Sequence, residues 1–229
     1  MNNIAIIYDL DDTIFPTKSI PAATFQPVFN AIKHANNGFL TEKLLETALE
    51  DLWVKPMDIV AKEYGFNDAM INAAKTTLTN STYELSLTPF ADYHFITKIP
   101  GKRFLVTTGV TNLQQAKINS LIKDGDFDEI IIDDPYHLDR LGKKSIFRGL
   151  AARYKLLPAN MLIIGDNPDS EIAAGNALGM KTIQILRPGV QRDEQATYVI
   201  QSFSEISNLI KSYFIKFPNI SLLNMNCND

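Results

Sequence analysis

The sequence predicts an α/β fold in which a parallel sheet is covered by helices on both faces. One observation predicts this sheet, and a second indicates an additional helical unit. Short runs that are apolar throughout alternate with segments whose apolar residues recur at helical spacing. Residues 22–80, by contrast, show helical spacing with little β-branched alternation, which indicates a separate helical unit. Strands without an apolar-polar alternation are typical of parallel sheets that are buried between two layers of helices.

Five segments are predicted as strands because each is a short apolar run between polar flanks: residues 4–8, 104–107, 129–133, 161–164 and 182–186. Helices are predicted around them over residues 112–122, 145–157, 170–178 and 203–214. The helix over 145–157 places one set of residues on a single side, facing the sheet: Ile146, Phe147, Leu150, Ala151, Tyr154 and Leu157.

The helical unit is predicted to hold about four helices, including one over residues 40–52 and one over 56–64. Thr41 is the expected N-cap of the first of these two helices, because an apolar stripe begins just after it. Turns that end helices are predicted at residues 36–38 and 65–68, both of which contain Asn and Gly.

Composition excludes several classes of protein. The chain has 229 residues, 45% of them hydrophobic and 21% charged, and a formal net charge of −4. A general nucleic-acid binder would usually carry a basic face, so no nucleic-acid polymer is expected as a partner. The single cysteine, Cys227, excludes an intrachain disulfide and a cysteine-based zinc site. No signal peptide or membrane-spanning run is evident, which predicts a cytoplasmic protein that does not bind membranes.

The segment Asp9-Leu10-Asp11-Asp12-Thr13 follows the first predicted strand. In open α/β sheets, ligands bind at the carboxyl ends of the strands. Asp9 and Asp11 therefore point to chemistry, because buried like charges repel and gain nothing for the fold. A structural turn or a helix cap is the alternative. It accounts for one acid, but it leaves the polar residues at the other strand ends unexplained.

Polar residues also follow other strands or precede a helix: Thr107, Thr108, Gly109, Gly142, Lys143, Lys144, Gly165, Asp166, Asn167, Asp169, Ser170 and Glu171. Two carboxylates about 4 Å apart repel by roughly 4 kcal/mol at an effective dielectric constant near 20. Converging acids therefore need protons or a cation, and oxygen ligands without His or Cys suit Mg²⁺. A metal, a lysine and hydroxyl donors around an acidic nucleophile are typical of phosphoryl transfer.

These residues resemble the four signatures of the haloacid dehalogenase-like (HAD) hydrolases. The signatures are Asp9-x-Asp11-x-Thr13, Thr107, a lysine near residue 143, and Gly165-Asp166 with Glu171, in the family's order. The resemblance implies a Rossmann-like three-layer α/β/α core over residues 1–15 and 89–216. It also implies an inserted helical cap over 16–88, and residues 217–229 are expected to form a C-terminal tail.

The resemblance also implies a role for each residue. Asp9 would be the nucleophile that forms an aspartyl-phosphate, and Asp11 the general acid and then base. Thr107 would bind a phosphoryl oxygen, with Thr13, Thr108, Gly109 and Lys144 as further substrate contacts, and Lys143 would neutralise charge. The implied Mg²⁺ ligands are Asp9, Asp11 through its backbone carbonyl, and Asp166, with Asp169 or Glu171 in support.

The expected activity is a Mg²⁺-dependent phosphatase for a small soluble phosphomonoester, in a monomer or homodimer. Three alternatives stay open: a metal-independent 2-haloacid dehalogenase, a phosphomutase, and a catalytically silent binding protein on the same fold. Two residue assignments also stay open. Lys143 is preferred over Lys144 as the neutralising lysine, and Glu171 stands where the family more usually has aspartate, so that Asp169 could take its role.

Overall fold

A computed structural model of the protein describes residues 4–53, 55 and 57–216. The strands it describes are β1 (Ala5–Tyr8), β2 (Lys102–Thr108), β3 (Glu129–Asp133), β4 (Met161–Gly165), β5 (Lys181–Ile185) and β6 (Tyr198–Ile200). They form one sheet in the order β3-β2-β1-β4-β5-β6, and every neighbouring pair is parallel. The predicted α/β class is confirmed. The predicted tail, with Cys227, lies outside the described residues.

Four α-helices lie between β1 and β2 in the described part of the chain: α1 (Gln26–Asn36), α2 (Glu42–Asp51), α3 (Met57–Tyr64) and α4 (Asp68–Asn80). The later helices are α5 (Thr111–Leu121), α6 (Lys143–Arg153), α7 (Ala173–Asn176) and α8 (Ile206–Lys216). None of the helices described is both long and apolar enough to cross a membrane.

The strand order places β1 in the middle of the sheet, between β2 and β4. From β1 the chain builds outward through β2 and β3 on one side, and later through β4, β5 and β6 on the other. This order is that of doubly wound sheets, in which ligands bind where the direction of strand addition reverses. The carboxyl ends of β1 and β4 meet at that point.

Both faces of the sheet are buried. Along β1, Ile6 and Tyr8 belong to one apolar cluster and Ala5 and Ile7 to another, as expected for side chains that alternate across a strand. Phe147 of α6 packs in the second cluster, and Ile206 of α8 packs in the first. The core therefore has the three layers that the sequence predicts.

The helices between β1 and β2 have a core of their own. Val28, Ile32, Leu45 and Met70 are among its buried members. Thr41 caps α2 as predicted, because its side chain accepts a hydrogen bond from the Leu44 N–H at 3.4 Å. A separate core supports a distinct cap domain, and the boundaries at residues 16 and 88 stay a prediction.

Some element bounds differ from the prediction. The helix predicted over 145–157 runs from Lys143 to Arg153. It ends early because Lys155 adopts a left-handed conformation with φ of 52°, which leaves Leu157 38% exposed instead of on the buried face. The helix predicted over 170–178 is a π-helical turn, Pro168–Ile172, that continues into the short α7.

Candidate active site

The segment after β1 turns sharply and separates its side chains between core and site. Asp9 extends the pairing with β4, because its N–H donates to the Ile164 carbonyl at 2.9 Å. Asp12 then adopts a left-handed conformation with φ of 48°, and the Ile14 N–H donates to the Leu10 carbonyl at 2.9 Å. Leu10 and Ile14 are fully buried. The turn thereby sends the apolar side chains into the core and leaves the carboxylates at the edge of the sheet.

Three carboxylates converge at this edge. Asp9, Asp166 and Glu171 each offer an oxygen that lies within 4.8 Å of those of the other two. Asp166 directly follows β4, the neighbour of β1. Glu171 lies in the π-helical turn, where its Oε1 accepts a hydrogen bond from the Asn167 N–H at 2.7 Å. Gly165 makes room for it, since a Cβ there would lie 2.1 Å from Glu171 Oε1.

Lys143 joins two of these acids. Its Nζ lies 2.7 Å from Asp9 Oδ1 and 2.7 Å from Glu171 Oε2. The lysine is brought there by α6, which begins at this residue after Gly142, whose φ is 74°. All three side chains of this double ion pair are less than a tenth exposed. Three ionised carboxylates and one lysine leave a formal charge of −2, which a divalent cation would balance.

The pKa values reflect this crowding of acids. Burial is the largest cause that raises the Asp9 pKa well above its ordinary value; Lys143 opposes it, while Glu171 and Asp166 add to it. Burial, then Glu171 and Asp12, raise the pKa of Asp166 to about 7. For Lys143, burial acts to lower the pKa, but Asp9 and Glu171 outweigh burial and raise it. The acids thus favour positive charge between them.

The donors of this cluster fit Mg²⁺. Hard carboxylate oxygens are the ligands that Mg²⁺ prefers, and the set contains neither the thiolate nor the imidazole that zinc and copper select. Asp9, Asp166 and Glu171 are the residues that would hold it. The Asp11 side chain is not among them, and Asp169 is exposed on the surface.

Asp11 belongs to a second, neighbouring network. Its Oδ1 lies 2.7 Å from the Nζ of Lys117, and its Oδ2 accepts a hydrogen bond from Gln114 Nε2 at 2.8 Å. The same amide nitrogen also donates to the hydroxyl of Thr107. Both Lys117 and Gln114 lie on α5 and are buried, whereas the side chain of Asp11 is 28% exposed. The network therefore holds an acid that solvent can still reach.

Comparisons with known proteins agree with this architecture. Residues 141–206, which include Lys143 and Asp166, match the sequence profile of the HAD-hydrolase-like family. A glyceraldehyde 3-phosphate phosphatase of Methanopyrus kandleri is 25% identical over 204 residues, 80% of this chain and 84% of the relative. A protein of the same name from Methanocaldococcus jannaschii is 28% identical over 111 residues, 47% of this chain and 48% of that protein.

These matches support the predicted place of the chain among the HAD-like hydrolases.

Solved structures of HAD-like hydrolases share the fold of this chain. A protein assigned as a HAD-hydrolase, YfnB of Bacillus subtilis in a magnesium-bound form, superposes with a TM-score of 0.59 at 19% identity. That match covers 92% of this chain and 99% of YfnB. A HAD phosphatase of Thermococcus onnurineus has a TM-score of 0.54 at 15% identity, over 90% of this chain and 97% of its own. The profile match and the two archaeal relatives, rather than these structures, support the predicted family and the predicted enzyme class, a hydrolase of phosphatase type.

The structure distinguishes the residues that the sequence left as alternatives. Lys143 contacts Asp9 and Glu171, whereas the next residue, Lys144, is exposed at the start of α6. Glu171 lies in the carboxylate cluster, whereas the N–H of Asp169 donates to the side chain of Asn167 at the surface. The geometry therefore favours Lys143 and Glu171.

The three threonines that are predicted to contact substrate have different partners in the structure. Thr13 donates to Asp166 Oδ1 at 3.2 Å, and Thr107 is bonded to Gln114. Thr108 instead donates to Asp133 Oδ2 at 3.4 Å, and a Cβ on Gly109 would lie 2.8 Å from Cδ of Gln114. Thr13 and Gly109 are thus placed to support neighbouring side chains, and their predicted contact with substrate stays a prediction.

Three residues of the site are absent from the predicted site residues, although two of them leave a signal in the sequence. Gln114 and Lys117 occupy the helical stripe that also contains Val110, Leu113, Ile118 and Leu121, where a buried face should be apolar. Two polar residues in such a stripe indicate buried partners. The third, Asp133, is buried at the end of β3 and accepts a hydrogen bond from the Gly142 N–H at 3.1 Å, which fixes the loop before Lys143.

Proposed function

We propose that the protein is a Mg²⁺-dependent phosphatase that hydrolyses a small phosphomonoester through an aspartyl-phosphate on Asp9. The observation that carries this proposal is the convergence of Asp9, Asp166 and Glu171 with Lys143. Mg²⁺, when bound there, would offset the negative charge of the phosphoryl group and of the acids. The site then needs only a phosphate ester beside the Asp9 carboxylate.

The first half of the reaction transfers the phosphoryl group to the protein. A carboxylate oxygen of Asp9 forms a bond to phosphorus as the ester oxygen leaves. Asp11, in its protonated form, gives its proton to that oxygen, so the leaving group departs as an alcohol. In this proposal Thr107 and Lys143 stabilise charge on the phosphoryl oxygens, because transition-state charge in phosphoryl transfer is spread over those atoms.

The second half releases phosphate. The Asp11 carboxylate, left unprotonated by the first step, takes a proton from a water molecule that attacks phosphorus. The bond between phosphorus and the Asp9 oxygen breaks, and inorganic phosphate and the Asp9 carboxylate are restored. The 28% exposure of the Asp11 side chain supports this role, since the group must reach both the leaving group and water.

The leaving group is expected to be small. The helical unit between β1 and β2 would restrict access to Asp9, as lids do in enzymes that protect a reactive intermediate from uncontrolled hydrolysis. Glyceraldehyde 3-phosphate, which the two archaeal relatives are named for, is the first substrate to assay. A cytoplasmic location and a monomeric or homodimeric state stay predictions.

Asp9→Asn tests the mechanism. With p-nitrophenyl phosphate and Mg²⁺, the variant should lose all measurable turnover while its circular dichroism and melting temperature stay close to those of the wild type. Asp124→Asn, the same change at an exposed loop residue before β3, is the matched control. Full activity of Asp9→Asn would end the proposed mechanism.

The same assays separate the alternatives. Halide release from a 2-haloacid without Mg²⁺ would indicate a dehalogenase, and transfer of phosphate between positions of a sugar would indicate a mutase. Inactivity of the wild type on a broad panel of phosphate esters, together with failure to bind Mg²⁺, would indicate a binding protein.

A further inference from the structure

Each acid of the Asp9-x-Asp11 pair has its own buried lysine. Lys143 contacts Asp9, and Lys117 contacts Asp11, in both cases with 2.7 Å between nitrogen and oxygen. The side chain of Lys117 is 6% exposed. A buried lysine is costly unless a carboxylate pairs with it, so the location of Lys117 depends on Asp11. Lys143 contacts two members of the carboxylate cluster, Asp9 and Glu171, whereas Lys117 pairs with Asp11, whose side chain is not a member.

We propose that Lys117 and Gln114 are positioning residues that hold the Asp11 carboxyl in place for proton transfer to the leaving group. This inference rests on the proposed phosphatase function and adds two residues to it. Neither residue has to touch the substrate. They act through Asp11, by fixing where its carboxyl group lies relative to Asp9.

The geometry restrains both oxygens of Asp11. Lys117 contacts Oδ1 and Gln114 donates to Oδ2, so the carboxyl group is held at two points and cannot rotate freely. Without these contacts, Asp11 could turn toward the cation that Asp9, Asp166 and Glu171 attract, since it lies only two residues from Asp9. Lys117 and Gln114 of α5 thus keep the side chain of Asp11 apart from the carboxylate cluster.

The surroundings hold the two donors themselves in place. Lys117 Nζ lies 5.8 Å from the centroid of the fully buried Phe15 ring, within the range of a cation–π interaction. Gln114 fits beside Gly109 because that residue has no Cβ, and its amide is bonded to Thr107 as well as to Asp11. The donors are therefore preorganised before a substrate binds.

The test compares a poor leaving group with a good one. An alkyl phosphate such as glycerol 3-phosphate needs its leaving oxygen protonated, whereas p-nitrophenyl phosphate loses a stable phenolate and needs little help. The quantity compared is kcat/KM, which reports the first transfer to Asp9 and is insensitive to the later hydrolysis. For Lys117→Met, we expect kcat/KM on glycerol 3-phosphate to fall by on the order of 100-fold. For the same variant, kcat/KM on p-nitrophenyl phosphate should fall by only about tenfold.

Lys123→Met is the matched control, because it makes the same change at an exposed lysine just beyond α5. It should leave both values of kcat/KM within about twofold, a typical margin for a surface substitution. If Lys117→Met lowers kcat/KM equally on the two substrates, or lowers neither, the inference is wrong. If the wild type hydrolyses no phosphate ester, the proposed function fails instead, so the two failures are distinguishable.

A second variant covers the case in which Lys117→Met does not fold. Gln114→Met releases only Oδ2 of Asp11 and leaves the ion pair with Lys117 intact. It should show the same dependence on the leaving group with a smaller amplitude. A folded Gln114→Met whose losses on the two substrates are equal would overturn the inference.

Discussion

Arg187 and Asp92 form a bidentate ion pair, with 3.0 Å for each of the two nitrogen–oxygen distances. The same guanidinium donates to the Thr13 carbonyl at 3.1 and 2.9 Å and lies against the ring of Phe90. Thr13 precedes the helical unit and Phe90 follows it, and the Phe90 N–H donates to the Ile14 carbonyl. Arg187, placed just after β5, therefore braces both chain segments that lead into and out of the predicted cap.

Replacement of Arg187 should destabilise the protein. Arg187→Met leaves the Asp92 carboxylate, which is only 14% exposed, without its ion pair, and breaking a buried pair costs up to about 3–5 kcal/mol. Arg187→Lys keeps the charge but loses the two-point contact, so an intermediate loss is expected. Urea unfolding measures the free energy of unfolding, with Arg192→Met at an exposed position as control. Equal stability of Arg187→Met and the wild type would show that the contacts of Arg187 contribute nothing to the free energy of unfolding.

Lys143 and Lys144 should differ sharply in their effect on catalysis. Lys143→Met removes the charge that lies 2.7 Å from Asp9 and Glu171, so kcat on p-nitrophenyl phosphate should fall by about 100- to 1,000-fold. Lys144→Met, at the exposed neighbouring position, should change kcat by less than about twofold. The reverse order of effects would show that the wrong lysine was chosen.

Glu171 and Asp169 are separated by their effect on Mg²⁺ binding. Glu171→Gln removes a charged oxygen of the carboxylate cluster and should weaken Mg²⁺ binding at least about tenfold, the usual scale for loss of a supporting carboxylate. Asp169→Asn changes an exposed side chain outside the cluster and should leave the affinity nearly unchanged. Titration calorimetry measures both. A larger loss in Asp169→Asn would reverse the assignment.

Gly165→Ala should disturb the same cluster without removing a charge. The added Cβ would lie 2.1 Å from Glu171 Oε1, so Glu171 must leave its position between the Asn167 N–H and Lys143. Mg²⁺ affinity and phosphatase activity should both fall. Gly149→Ala, in the interior of α6 with open space around it, is the control and should keep full activity. Normal Mg²⁺ binding by Gly165→Ala would contradict the proposed role of Glu171.

The stabilisation that Mg²⁺ gives should increase with pH. The Asp166 pKa is raised from 3.8 to about 7 in the metal-free fold, so the folded state holds this proton more tightly than the unfolded state. Without metal, Asp166 therefore lowers stability as pH rises from about 4 to 7. Mg²⁺ binds the ionised form, so it should raise the melting temperature more at pH 8 than at pH 6.

Asp166→Asn is the control for that measurement. The variant has no proton to release at this position, so its metal-free stability should not show the same fall between pH 4 and pH 7. Its melting temperature should respond little to Mg²⁺ at either pH. A Mg²⁺ effect of equal size at pH 6 and pH 8 in the wild type would count against a role for Asp166 as a ligand.

The convergence of Asp9 and Asp166 was predictable because parallel strands end at one edge of a sheet. The start of α6 was not: the predicted start at residue 145 lies two residues beyond Lys143, and helix ends depend on local capping that periodicity does not report. The strand β6 was missed because it spans only Tyr198–Ile200, too short a run for an apolar pattern to stand out.

Contacts between distant residues were beyond the sequence. Lys117 and Gln114 lie more than 100 positions from Asp11, and Arg187 lies 174 from Thr13. Each pair meets only because strand order and helix packing bring separate segments together. The position of Lys117 in the apolar stripe of α5 indicates that its side chain is buried. The same position does not indicate which carboxylate the side chain contacts.

The sequence by itself determined the α/β class, the helical insertion after the first strand and the acids at the strand ends. Apolar periodicity is a local property, and the order of the motifs along the chain is enough for a resemblance to the HAD-like hydrolases. Only the tertiary structure decided that Lys143 rather than Lys144 contacts Asp9, that Glu171 rather than Asp169 joins the cluster, and that Lys117 holds Asp11. Those choices depend on the rotation of helices against the sheet, which packing sets over the whole fold.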